Sequence, residues 1–450
     1  MKKFTFLALG LMMMAISAQA YNTVNISNYK DGDSYTLQDG DILTGSTTKA
    51  VKIIIASGAS VTLDNVTIDV DRALTGYSNA GLSPKGSCYI YLKGTNKITS
   101  VGNNEPAIFL PSGSTVHIYE KTSGASLTAK GVIYGTGIGG AMNTKEVGNL
   151  RVHGGTIKAI GGENAAGIGS AKGGKCGDII IDGGTITAEG GESAAGIGSG
   201  LNGTCGTITI NGGTINAKGG AYAAGIGSGE ANGGSSSCGT ITISGGSVTA
   251  KGGMVAPGIG SGGGASCGNI TISKNVTMVK ATKGDTSPCS IGKGADASAG
   301  TVKVADKTIS GGVTESPFIY PVPTPTGLKA SDPSASTAII SWTAASGVLK
   351  YKLYYMEVLG AGYYEKTVTK TPYILTDLKA NTEYYVWIKA ICSGSLESAE
   401  TAKVRFSTLA GQGIDEVPSD KVPSTKVIRN GQVVVVKRDK VFNLLGQEIQ

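Results

Sequence analysis

Residues 161–200 read GGENAAGIGSAKGGKCGDIIIDGGTITAEGGESAAGIGSG, and the six residues Ala165 to Ser170 recur at Ala194 to Ser199. Aligned on the central isoleucine, related segments occur at Ile108, Ile138, Ile168, Ile197, Ile226, Ile259 and Ile291, with gaps of 30, 30, 29, 29, 33 and 32 residues. A Cys-Gly landmark at Cys176, Cys205, Cys238 and Cys267 keeps step. The widest gap holds an insertion around Glu230 to Ser236, which marks a tolerant turn. A fixed period of this length means stacked units, each unable to bury its apolar edge alone.

Inside a unit the pattern alternates with period two, as in strands. Ile179 and Ile181 point one way, while Asp178, Ile180 and Asp182 point the other. A Gly-Gly turn leads to a second strand, Thr185-Ile-Thr-Ala188, and another to a third built on Gly-Ile-Gly. Three strands per coil and no helical period predict an all-β chain: a right-handed parallel β-helix, or solenoid. Leucine-rich repeats need a register that is absent. Calcium-binding nonapeptide repeats need an aspartate at each turn, whereas residues 131–300 hold nine carboxylates in all. Less regular coils are expected earlier, from Val51 to Leu92, so the solenoid is placed at 21–312. The four Cys-Gly cysteines are expected to stack, as buried free thiols in preference to disulfides, because in-register parallel side chains do not meet at the disulfide torsion.

Composition limits the remaining readings. Glycine supplies 71 of 450 residues and proline 13, while 39 basic and 32 acidic residues leave a diffuse +7. That distribution predicts no nucleic-acid partner. The first twenty residues carry Lys2 and Lys3, an apolar run from Phe4 to Ile16, and Ala18-Gln19-Ala20, the layout of a signal peptide over 1–20. The chain is therefore expected to use an export machinery and to be secreted or attached to the outer cell surface. No later stretch is apolar enough for a transmembrane span.

After a linker at 313–325, beginning its proline spacing at Pro321, glycine thins and aromatics rise. Trp342 follows Ile339-Ile340-Ser341, and Tyr384 comes six residues after Leu378. Residues 322–409 resemble a fibronectin type III domain, with Trp342 as the core tryptophan and Tyr384 as the tyrosine corner; Ala380 stands where a proline is common. The resemblance implies a β-sandwich whose third and sixth strands are neighbours. Alternation then turns Tyr354, Tyr385 and Trp387 outward as a tentative ligand-binding patch, for aromatic rings join apolar area to a polar tip. Within 410–450, Lys426 to Gln432, Val433 to Val436 and Lys440 to Gln447 resemble the C-terminal sorting segment of type IX secretion cargo. The chain as a whole resembles glycine-rich GIGSG-repeat surface proteins labelled carbohydrate-binding, which implies an extracellular glycan or a host or matrix protein as partner.

Chemistry is thinly provided, so no catalytic residue, metal or cofactor is assigned. The chain has two histidines, His117 and His153, 36 residues apart and read as exposed strand positions. Asp178 and Asp182 lie four apart on a strand, about 13 Å, beyond the ~9.5 Å limit for paired carboxylates in glycoside hydrolysis. The acidic group Asp31, Asp33, Asp39 and Asp41 reads as Asp-Gly turns in preference to a calcium site. It is also the best material for the alternative function, a polysaccharide-cleaving β-helix lyase or hydrolase. A third alternative is a structural spacer of the cell surface. Two further features face outward: a glycine strip around Gly167, Gly169, Gly196 and Gly198, read as crowding by a neighbouring loop or corner geometry in preference to a docking strip for a flat partner, and a threonine row including Thr209, Thr242 and Thr271, for which ordinary β-propensity suffices. Tyr134 and Tyr222 are the aromatics of the regular repeats, so no sugar platform is expected on the solenoid.

Overall fold

Stacking of the repeated isoleucines sets the architecture. In the computed structural model, Ile138, Ile168, Ile197, Ile226, Ile259 and Ile291 pair in parallel register, and none is exposed. The structure describes residues 21–70, 80–411 and the strands Ser424–Arg429, Gln432–Lys437, Lys440–Phe442 and Glu448–Ile449. The leader at 1–20 and the Leu444 to Gln447 motif lie outside the described residues.

Three walls build each coil. The first carries a column Leu150, Ile179, Ile208, Ile241, Ile270 and Val302. The second carries Ile157, Ile186, Ile215, Val248 and Val279, beside a column of alanines from Ala159 to Ala281. The third is the Ile-Gly strand, in a ten-stranded sheet that reaches back to Ser34–Leu37. Each column residue is buried by the coils above and below it, worth about 1.5–3 kcal/mol for a fully buried isoleucine. A fourth, two-residue strand is added at Cys176, Cys205, Cys238 and Cys267, where three strands per coil were expected. The cysteine corner is extended because Gly206 donates its N–H back to both Cys176 and Gly177 carbonyls. The thiols are free and buried, and at Cys205 a hydrogen bond with Cys176, together with burial, pushes the thiol up.

The GIGSG motif is a packing device. Gly198 has φ of +137°, and a Cβ there would lie 1.7 Å from the Gly227 carbonyl oxygen of the next coil. Behind it, buried Ser170, Ser199 and Ser228 accept hydrogen bonds from the N–H groups of Gly200, Gly229 and Gly262 at 3.0–3.1 Å. The outward glycine strip is enclosed, as the crowding reading has it: Gly167, Gly169, Gly196 and Gly198 are buried.

The expected linker at 313–325 also differs. Phe318–Tyr320 pairs antiparallel with Met278–Thr282, and Phe318 is fully buried. Lys307–Ile309 closes the first wall in the same antiparallel way, and Val313 bridges to Ile291 on the third. Unpaired strand edges left by the last coil are what these segments satisfy.

The chain forms two compact units, the first holding every solenoid strand. In the sandwich, Thr326–Ser331, Ala338–Thr343 and Tyr373–Leu375 form one sheet; Lys350–Glu357 and Glu383–Cys392 are neighbours in the other. Trp342 is buried, and the Tyr384 hydroxyl accepts the Lys379 N–H at 2.8 Å, the tyrosine-corner bond. The C-terminal strands make a four-stranded antiparallel sheet. Among the described residues no helix is long and apolar enough to cross a membrane.

Replacing Ser199 with alanine leaves the buried Gly229 N–H without its acceptor, at an expected cost of about 1–3 kcal/mol. Gly198→Ala, which forces backbone apart, should cost at least as much. Denaturant midpoints of the full chain check both; unchanged midpoints would remove the serine and glycine columns from the account.

Candidate functional site

Alternation on the sandwich strands is as read, but both faces are covered. Tyr354 and Trp387 point away from the core yet are 7% and 5% exposed. Their rings stack at 5.5 Å, Tyr363 packs edge-on against both, and the Lys403 ammonium lies 4.4 Å over the Trp387 ring. Tyr385 is half-buried. The expected patch is therefore a packed aromatic cluster, with Tyr363, 62% exposed, as its accessible ring.

A second aromatic array stands on the first wall of the solenoid, where none was expected. Its strands Cys88–Lys93, Thr115–Glu120 and Asn149–Val152 pair in parallel. Cys88, Ile90, Val116, Ile118, Leu150 and Val152 fill the interior. The outward positions form two columns across successive coils. One runs Tyr89, His117, Arg151, Ile180 and then Thr209, Thr242 and Thr271. The other holds Tyr91, Tyr119, His153 and Asp182. Ring contacts link them: Tyr89 to His117 at 4.9 Å, Tyr91 to Tyr119 at 5.2 Å, and Tyr119 to His153 at 4.1 Å with planes 3° apart.

The two histidines are partners, not isolated strand residues. His117 Nδ1 lies 3.1 Å from His153 Nε2, and His153 Nδ1 lies 3.4 Å from Asp182 Oδ2. Asp182 accepts from Arg151 Nε at 2.7 Å and from Asn211 at 2.9 Å. One proton arrangement satisfies this chain: His153 Nδ1–H faces the carboxylate and His117 Nδ1–H donates to His153, leaving His117 Nε2 an acceptor. Burial lowers His117 below the usual imidazole value, and His153 and Arg151 push the same way against Asp182. His153 is likewise lowered by burial, which outweighs the opposing Asp182, with Arg151 adding to the fall. Burial pulls Asp182 upward, but the Arg151 and Asn211 hydrogen bonds and the nearby positive charge carry it below the usual carboxylate range.

Stacking sets what this array can do. Inner rings have their faces occupied by neighbours and present edges bearing phenol and imidazole groups. The end of the stack is different: Tyr89, 36% exposed, is in register with Ser60, too small to cover its outer face. That is a half-open aromatic face with polar edges beside it.

The acidic N-terminal residues are engaged in turns. Asp31 accepts from the Ala50 N–H, Asp33 from Lys30, Asp39 from Ser60 and Asp41 from Gln38, at 2.7–2.8 Å. Asp178 similarly accepts from Thr207. No cluster of three or more potential ligands suited to a metal occurs among the described residues. Three threonines, Thr209, Thr242 and Thr271, form an unbroken outward row between Ile180 and Lys303.

Residues 323–406 match the fibronectin type III domain family, and 152–174, 179–201, 208–230 and 241–263 match the beta helix repeat family. The chain is thus a β-solenoid followed by a fibronectin type III domain, an architecture that fits a surface or adhesive protein. No curated protein matches it. Similar solved structures include the fibronectin type III domain of the human collagen alpha-1(XX) chain, 26% identical over 20% of this chain and 89% of that one, TM-score 0.19. Another is the FN5 domain of Drosophila Lar, 19% identical over 19% of this chain and 96% of that one, TM-score 0.18.

Two predictions follow from these contacts. A histidine lowered in the folded state gives stability that is complete above its unfolded value of about 6.5 and is lost as pH falls below it. The chain has two histidines, so its denaturant midpoint should fall between about pH 7 and pH 5.5, and His117→Gln with His153→Gln should flatten that slope. A slope persisting in the double variant would place the titration elsewhere. Separately, Trp387→Ala should cost about 3–5 kcal/mol of sandwich stability, as for other buried tryptophans; a variant of unchanged stability would contradict the packed cluster.

Proposed function

We propose that this protein is an exported, non-catalytic surface or secreted binding protein whose solenoid contacts glycan through the Tyr89–His117–Tyr119 array. The observation that carries the reading is the uncovered face of Tyr89 at the end of an aromatic stack with imidazole and phenol edges. Apolar ring faces suit the C–H face of a sugar, and the edges suit its hydroxyls. The exposed ring of Tyr363 on the sandwich is a smaller candidate contact for the same partner or for a matrix protein. Export rests on the layout of residues 1–20, and surface attachment on the type IX-like segment near the C-terminus.

The competing reading is polysaccharide cleavage. Asp31 and Asp39 support it poorly, being tied to backbone N–H groups, but the Asp182–His153–His117 chain leaves an imidazole nitrogen able to accept a proton. It is the one observation that favours an enzyme.

A glycan and matrix-protein panel with the full chain separates the readings. Binding that weakens about tenfold in Tyr89→Ala, equivalent to about 1.4 kcal/mol, and is unchanged in Asp31→Ala supports the binding protein. No binding across the panel would sink it. Product release from polysaccharide that disappears in His117→Gln would establish the enzyme instead.

A further inference from the structure

A second surface, on the opposite edge of the second wall, has different chemistry. Three successive Gly-Gly corners and the Lys283-Gly284 corner of the next coil form a trough of about 430 Å³ that runs across the coils. Its floor carries no side chains because it cannot: a Cβ on Gly220 would lie 1.8 Å from the Gly191 carbonyl oxygen, and one on Gly253 equally close to that of Gly220. Glu189, Lys218 and Lys251 line one rim in register, with Thr282 next in the column and Lys283 one residue further on. Glu192 and Asp285 mark the two ends of the other, with Ala221 and the 48% exposed Met254 between them.

Lys218 and Lys251 stand directly in register on neighbouring parallel strands, both exposed. Among the described residues neither forms an ion pair, and Glu189, the preceding residue of that column, is engaged by Lys158 at 3.4 Å. Like charges placed opposite each other in a sheet are destabilising. An anionic occupant would turn that repulsion into attraction. Beside the lysines, the column Thr187, Asn216 and Thr249 offers hydroxyl and amide groups at the same spacing.

We propose that this trough binds a linear anionic polysaccharide laid along the solenoid axis; the proposal rests on the glycan-binding reading and specifies a ligand class for it. The spacing selects the occupant. The Lys218 and Lys251 cations stand one coil apart, about 4.8 Å, whereas an extended peptide repeats side chains on one face only every ~6.8 Å. One linked pyranose unit advances by about the coil spacing, so acid groups on two adjacent units meet the in-register pair Lys218 and Lys251, with Glu189 and Thr282 holding that column in the flanking coils. Four coils span about 14 Å, room for roughly three sugars. The apolar centre of the far rim, Ala221 and Met254, suits a sugar face, and the hydroxyls face the threonine and asparagine column.

The test uses the full chain with heparin and polygalacturonate as sulfated and carboxylated probes, neutral dextran and polyglutamate as controls. Binding to at least one anionic glycan is expected, weakening as salt rises and falling tenfold or more in Lys218→Gln with Lys251→Gln. Lys218→Arg with Lys251→Arg should retain it. Equal binding by the glutamine variant, or equal affinity for polyglutamate, would overturn the proposal. Binding to neutral glycans on the panel without any to the two anionic probes would overturn the trough alone. No glycan bound at all would remove the underlying reading with it.

Discussion

The chain is governed by the close approach of one coil to the next. Parallel strands stacked about 4.8 Å apart leave little space for side chains where the path bends, so glycine recurs at the corners where a Cβ would meet the next coil's backbone. The aliphatic columns supply the driving force, and the glycine corners supply the permission. The buried serine column serves the same constraint. Each turn that leaves the ladder exposes an N–H to the interior, and a serine of the preceding coil accepts it. Sequence economy in the repeats is therefore dictated by backbone contact and carries no information about ligands.

That division explains what could be read from the residues. The Ala-Ala-Gly-Ile-Gly-Ser recurrence reveals the period because the same inward isoleucine must return once per coil. Trp342 and Tyr384 reveal the sandwich because their spacing reflects a fixed corner. The array of Tyr89, His117 and Tyr119 was not legible. Tyr89 lies nearly thirty residues before His117 and Tyr119, in coils that have lost the repeat motif, and only the register brings them together. In the same region the pairing of Ile42–Thr47 with Ser60–Ile68 shifts at Gly45, so counting along the sequence would not have given the alignment.

Alternation misled in one place and for a definite reason. A strand pattern says which side a residue is on and is silent about what covers that side. Tyr354 and Trp387 are outward from the sandwich core, but Tyr363 and Lys403 fold over them, and they end up buried. The glycine strip is likewise outward from the isoleucine column and enclosed, in keeping with the crowding read for it. The coil rules relax at the irregular early coils, which carry the stacked rings, and on the outer rim of the corner, where the lysines stand clear of the backbone contact.

The segments that close the last coil have an effect beyond local pairing. Residues 307–309, 313 and 318–320 seat antiparallel chain on all three walls, so a further parallel strand finds no free donors or acceptors on them. A repeat array without such a stopper is a template, ready to lengthen by recruiting the first coil of another copy into a filament. With it, the array has a defined length at that end, and the number of coils each molecule stacks is fixed by its own sequence.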